Sequence, residues 1–195
     1  MIAVKERLLG FTERAGFDSG PGFKPPIAEP EIFEYYNTGD DHAYACHYYK
    51  AQTFTPAIDH IIKKVKLKLY RQGAPPGDAV VHIRGVDGSG VPLIGEGNDL
   101  CTGSLAASTV TIGGTGTYIE FLLGIGAPLI AATMYAIVFY GDGDSAEKVW
   151  WRDDSSFAIY NRGKPYYGDV YQGEPTAWSE ITGQDFMFEE WGIPY

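Results

Sequence analysis

A chain of 195 residues is long enough for one domain with a sizeable core and short for two. Gly 25 and Pro 12 make up about a fifth of it, where about 12% is usual, and that excess favours many turns and short strands. The formal charge of −10 sets a field that repels phosphate backbones and anionic membranes, and no apolar run approaches the ~18 residues of a membrane helix, so neither nucleic acid nor membrane is an expected partner.

The first ten residues carry Lys5, Glu6 and Arg7 and no long apolar stretch, so no signal peptide is expected and the chain is read as folding in a cytoplasm. Ile2 to Ala15 has the makings of a short helix, with Leu8, Leu9 and Phe11 apolar and Gly10 interrupting. From Phe17 to Glu31, Pro21, Pro25, Pro26 and Pro30 exclude a helix and leave extended backbone. Residues 1–31 thus read as an N-terminal arm that is disordered, wraps its own domain, or reaches a neighbouring copy through Leu8, Leu9, Phe11 and Phe17.

From Ile32 onward the apolar period becomes two, with Gly- and Pro-rich breaks every 8 to 15 residues, which predicts a second unit, 32–195, that is an all-β antiparallel sandwich. In Ile62–Tyr70, Val65, Leu67 and Leu69 are expected to face inward and Lys64, Lys66, Lys68 and Tyr70 outward. After the Gly73–Gly77 turn, Ala79, Val81 and Ile83 alternate with Val80, His82 and Arg84, predicting a strand antiparallel to that one. Thr117–Leu123 is a third strand, separated by Gly124, Gly126 and Pro128 from Thr133–Tyr140, which is apolar on both faces and belongs in the middle of a sheet covered on both sides. Lys148–Arg152, Phe157–Tyr160, Tyr166–Tyr171 and Phe186–Trp191 supply the later strands, and no long helix is expected in this body.

Several pieces follow one another in an order of their own: Gln52-Thr-Phe-Thr-Pro56, the lysine-alternating strand, Gly77 to Arg84, Asp87-Gly-Ser-Gly-Val-Pro92, Leu105, Tyr118 and Phe121, Thr133 to Val138, Trp150-Trp-Arg152 and Asp185-Phe-Met-Phe188. Over roughly residues 50–191 this order resembles a jelly-roll β-sandwich family of bacterial surface proteins, the choice-of-anchor type among them, and of structural or tail-associated proteins of tailed phages and prophages. The resemblance implies a non-catalytic module for assembly or attachment, with no catalytic residues to carry over. Without an export signal or anchor, and with the 1–31 arm added, the expectation is a virion component, a capsid decoration or tail-associated protein, that associates with other copies of itself and with a larger virion assembly.

His42, Cys46 and His47 suggest a metal site but lack a fourth ligand at suitable spacing, and ordinary strand residues are the favoured reading. Cys46 and Cys101 read as reduced and buried. His60 and His82 have no nucleophile in a recognisable motif, and Gly88-Ser-Gly90 lacks the strand-turn-helix setting of a catalytic serine, so an enzyme is not expected. The pairs Asp40-Asp41 and Asp153-Asp154 and the run Asp142-Gly-Asp144 suit either structural Ca²⁺ or solvated turns, and turns are favoured, with no cofactor expected.

Residues 141–195 hold eleven acids and four bases, so most of the negative charge lies there. Rings also concentrate in that part, and Trp151, Tyr166, Tyr167 and Trp178 are the candidates for an aromatic surface that contacts a subunit or a glycan, since flat rings stack on pyranose faces and are equally enriched at protein interfaces. Trp150 and Trp151 must point to opposite faces, so one of them belongs to the core. Alternating Lys64, Lys66 and Lys68 read as a device that keeps an exposed strand soluble and discourages edge pairing, or as a ridge that meets the acidic part of another copy.

Overall fold

In the computed structural model, residues 28–171 and 173–195 are described, and they form two antiparallel sheets packed face to face. The strands in chain order are β1 (Glu31–Tyr36), β2 (His42–Ala45), β3 (Tyr48–Phe54), β4 (His60–Gln72), β5 (Asp78–Gly85), β6 (Asp99–Ala106) and β7 (Thr117–Leu129). There follow β8 (Tyr135–Gly141), β9 (Lys148–Asp154), β10 (Pro165–Tyr171), β11 (Trp178–Glu180), β12 (Asp185–Phe186) and β13 (Phe188–Pro194). The only helical pieces among the described residues are two single 3₁₀ turns, Glu96–Asn98 and Ala107–Thr109. Leu8, Leu9, Phe11 and Phe17 lie outside the described residues.

One sheet runs β1-β13-β4-β9-β12, with β7 on the other side of β4 and β2 on β9; the other runs β11-β10-β3-β8-β5-β6. The core between them forms as the alternation requires. Val65, Leu67, Leu69, Phe121 and Phe188 from the first sheet meet Phe54, Val81, Ile83, Ile137 and Phe139 from the second, all essentially inaccessible. The Thr133–Tyr140 run supplies β8, which lies centrally between β3 and β5, and its second face is covered too: Ala136 and Val138 pack with Tyr49, Ala51 and Tyr166 in a smaller outer core.

Three expectations about strands need correction. β5 does not pair with β4; it enters the other sheet between β8 and β6. His82 and Arg84 do alternate away from the main core, yet Arg84 is fully buried, because Asp99 of β6 and Glu174 close over its guanidinium at 2.6 and 2.8 Å. Gly124 to Pro128 is no break between strands but part of β7: Ile62 pairs Ala127 and Lys64 pairs Leu122, so four residues of β7 bulge opposite Lys63 alone. Gly124 (φ 62°) and Gly126 (φ 75°) supply the left-handed backbone of that bulge, and Ile125 stands at its tip 91% exposed. Phe157–Tyr160 is not a strand, because carboxylates take its backbone donors: Asp154 accepts from the amides of Ser156 and Phe157, and Asp185 from that of Tyr160.

The lysine strand is also not an edge. β4 is paired on both sides, and its lysines are engaged within the chain: Lys64 with Glu120 at 2.9 Å, Lys68 with Asp40 at 2.8 Å, and Lys66 over the Trp191 ring at 4.4 Å.

Candidate functional site

The buried polar residues of the sandwich mostly satisfy one another. His60 Nε2 lies 2.9 Å from Glu190, both fully inaccessible, while the imidazole stacks on Phe33 at 3.9 Å. Burial pushes the Glu190 carboxyl up, and the imidazole partner opposes that push. His82 shares Asp99 with Arg84. The two acidic pairs come together where β2 runs beside β9, but each carboxylate is engaged. Asp40 meets Lys68 and Arg152, Asp41 holds Ser155 and Ser156, Asp153 faces His42 at 3.1 Å, and Asp154 accepts from the Tyr36 hydroxyl at 2.7 Å. In the β8–β9 turn Asp144 accepts from the amides of Ala146 and Glu147, which holds its carboxyl below the ordinary range. Among the described residues no three His, Cys, Asp or Glu side chains are gathered as a metal site. Both cysteines are free thiols, Cys46 buried and Cys101 partly so; burial raises each to about 12, which makes them poor nucleophiles.

The four rings expected to form one aromatic surface are distributed over three environments. Trp151 is fully buried in the main core, stacked on Phe186 at 4.5 Å with its indole N–H on the Met187 carbonyl at 2.8 Å; no surface ligand can reach it. The alternation places Trp150 on the opposite face, stacked on Tyr70 at 5.8 Å. Tyr166 and Trp178 face the outer core of the second sheet. Only Tyr167 opens into the groove described next, and it is 43% exposed.

That groove, about 610 Å³, lies at the edge of the sandwich between Tyr44 of the first sheet and Tyr48, Lys50, Tyr167 and Glu180 of the second, with Gln184 closing one side. Strand pleat builds it. Tyr48, Lys50, Gln52 and Phe54 share the inward face of β3; Phe54 and Gln52 are swallowed by the sandwich, whereas Lys50 and Tyr48 extend past its edge. Tyr167 is the cross-strand neighbour of Lys50. Lys50 is only 4% exposed, and among the described residues no carboxylate pairs with it. Its ammonium lies 5.5 Å from the Tyr48 ring centre and 6.0 Å from that of Tyr44, with two long contacts of 3.4 Å to the carbonyls of Tyr48 and Tyr49. Desolvation lowers it to about 8. The carboxylates of the groove are already held: Glu180 by Lys164 at 2.8 Å, and Asp169 by Thr176 and the Ala177 amide. Gln184 Oε1 is buried with no hydrogen-bond partner among the described residues.

Sequence reasoning passed over Tyr44, Tyr48, Lys50 and Gln184. One signal was there: in Tyr48-Tyr-Lys-Ala-Gln-Thr-Phe54, a lysine stands in phase with a core phenylalanine, so it had to be buried or at an opening. A second exposed feature is the β7 bulge, where Ile125 stands at the tip and Leu122 (67% exposed) and Gly124 line a hollow of about 510 Å³ shared with Ala28–Pro30, Lys63 and Ile193. Neither a scan of the sequence against family models nor a comparison with curated proteins gave a match, so the groove and the bulge carry the functional reading by themselves.

Proposed function

We propose that this chain is a non-catalytic virion structural or attachment protein, a capsid decoration or tail-associated component with jelly-roll connectivity, that self-associates and docks on a larger virion assembly. The observation that supports it is the pair of exposed apolar side chains on β7: Ile125 at the tip of the two-glycine bulge and Leu122 at its base, the latter beside the hollow where residues Ala28–Pro30 lead into the sandwich. Two large apolar side chains exposed three residues apart are suited to a protein partner. Leu8, Leu9, Phe11 and Phe17 are the further contacts of the same assembly, reaching a neighbouring copy.

The test is the mass of the full chain in solution across a concentration series, alone and with Leu122→Asp plus Ile125→Asp, or with Leu8→Asp, Leu9→Asp and Phe11→Asp. An oligomer that dissociates with either set supports assembly. A monomer throughout removes it.

The second reading is a carbohydrate-binding module for host-surface or extracellular polysaccharide, and the tyrosine-lined groove favours it. Tyr48 and Tyr167 offer half-exposed rings beside polar groups at the opening of the sandwich, the combination that holds a pyranose by its face and its hydroxyls. A glycan array on the full chain, repeated with Tyr167→Ala, checks it: a hit that survives Tyr167→Ala unchanged places the glycan elsewhere.

A further inference from the structure

Lys50 is the one side chain in the groove whose charge is unanswered among the described residues. A lysine only 4% exposed, its ammonium held by two long carbonyl contacts and two ring faces, is poorly satisfied, since three donors are available. The cost of that burial is visible in its lowered proton affinity, and an anion arriving in the groove would relieve it.

We propose that the groove binds an acidic sugar, a pyranose bearing a carboxylate, with the carboxylate on Lys50 and the sugar ring against Tyr48 or Tyr167. This rests on the carbohydrate reading above and names its ligand class. A single ammonium matches a monoanion. A phosphate dianion needs several donors, and the groove supplies no arginine fork, while Asp169 and Glu180 on its walls oppose a second negative charge. A hydroxyl beside the carboxylate finds an acceptor in Gln184 Oε1. The volume of about 610 Å³ is in the range of small-ligand sites and holds more than one sugar ring.

The titratable groups around Lys50 are Cys46 and His47 of the β2–β3 turn, Tyr44 of β2, Tyr48 on its own strand, and Tyr167, Asp169 and Glu180 across the groove. Asp153, on β9 beside β2, is already paired with His42. Of these, burial raises the Cys46 thiol to about 12 and lowers His47, and desolvation brings Lys50 down to about 8, so Lys50 is the group of the groove that loses most of its charge between neutral and pH 9.5.

Titration calorimetry of the full chain, in about 0.15 M salt where long-range repulsion by the net charge is screened within ~8 Å, compares a glucuronate-containing disaccharide with its uncharged glucose counterpart. The acidic sugar is expected to bind at least roughly tenfold more tightly at pH 7, the worth of one charge-assisted hydrogen bond. Lys50→Met, close in volume and better suited to burial, should abolish that preference. For the unaltered chain, raising the pH from 7 to 9.5 should weaken the acidic sugar roughly tenfold or more and leave the neutral one unaffected. This second measurement stands even if Lys50→Met does not fold. Equal affinity for the two sugars overturns the acidic preference and leaves the carbohydrate reading standing, as does a preference that survives Lys50→Met or pH 9.5. No binding of either sugar at millimolar concentration overturns both.

Discussion

Replacing Trp151 by Phe separates a core indole from a binding platform, and its size follows from the packing. The side chain is inaccessible, with Phe186 stacked on one side and Phe139 edge-on at 5.7 Å. Phe retains a ring for both contacts but leaves a void of roughly 40 Å³, which at ~24 cal/mol per Å³ costs about 1 kcal/mol. The buried area lost with the second ring adds roughly 1 kcal/mol. The indole hydrogen bond adds about 0.5 kcal/mol, the low end of its range, because the Met187 carbonyl still accepts from the Lys68 amide at 3.3 Å and is not orphaned. The sum is about 2 to 3 kcal/mol. For a chain of this length that is a Tm lower by roughly 4–12 °C. Equilibrium urea unfolding followed by circular dichroism, at constant slope, measures it. An unchanged midpoint would refute the core assignment, above all if a ligand or partner were lost at the same time.

Arg84→Met leaves Asp99 and Glu174 without their cation in a largely closed site and should cost about 3 kcal/mol, the lower end for a broken buried pair because Glu174 retains some water; the same denaturation measures it. Gly126→Ala should destabilise far more than Gly124→Ala: both have positive φ, at roughly 1–2 kcal/mol each, but a Cβ on Gly126 would overlap the Ile62 carbonyl whereas that on Gly124 meets open space. Desolvation raises Asp153 and Asp185 to about 6, above their unfolded values, so the folded state holds their protons longer; the stability they contribute is complete below about pH 4 and is lost as pH rises through 6. Discounted for partial solvation, the loss between pH 5 and 7.5 should be roughly 1 kcal/mol in total, and Asp153→Asn should flatten the profile of melting temperature against pH.

The sheet faces were legible in the sequence where side-chain period alone decides them. Val65, Leu67 and Leu69 against Lys64, Lys66 and Lys68, and the two-sided run that becomes β8, needed only the pleat and the preference of apolar groups to leave water. The edge strand β6 escaped notice because its faces differ little in polarity: Leu100 points outward 45% exposed while Gly103 points in. Of the N-terminal arm only residues 28–31 are described; Leu8, Leu9, Phe11 and Phe17 lie outside the described residues.

Strand partners were not legible, since backbone hydrogen bonds carry no side-chain information. That β5 leaves β4 for the other sheet, and that β4 is paired on both sides, follow from how the whole set of apolar faces is buried together. The functional residues divide along the same line. Sequence alone determined that Lys50 points the same way as Phe54 and that Trp150 and Trp151 point apart. Only the tertiary structure decided that the sandwich closes over Trp151 and stops short of Lys50, because burial is fixed by residues far along the chain, Phe186 and Met187 in the one case and Tyr44 and Tyr167 in the other.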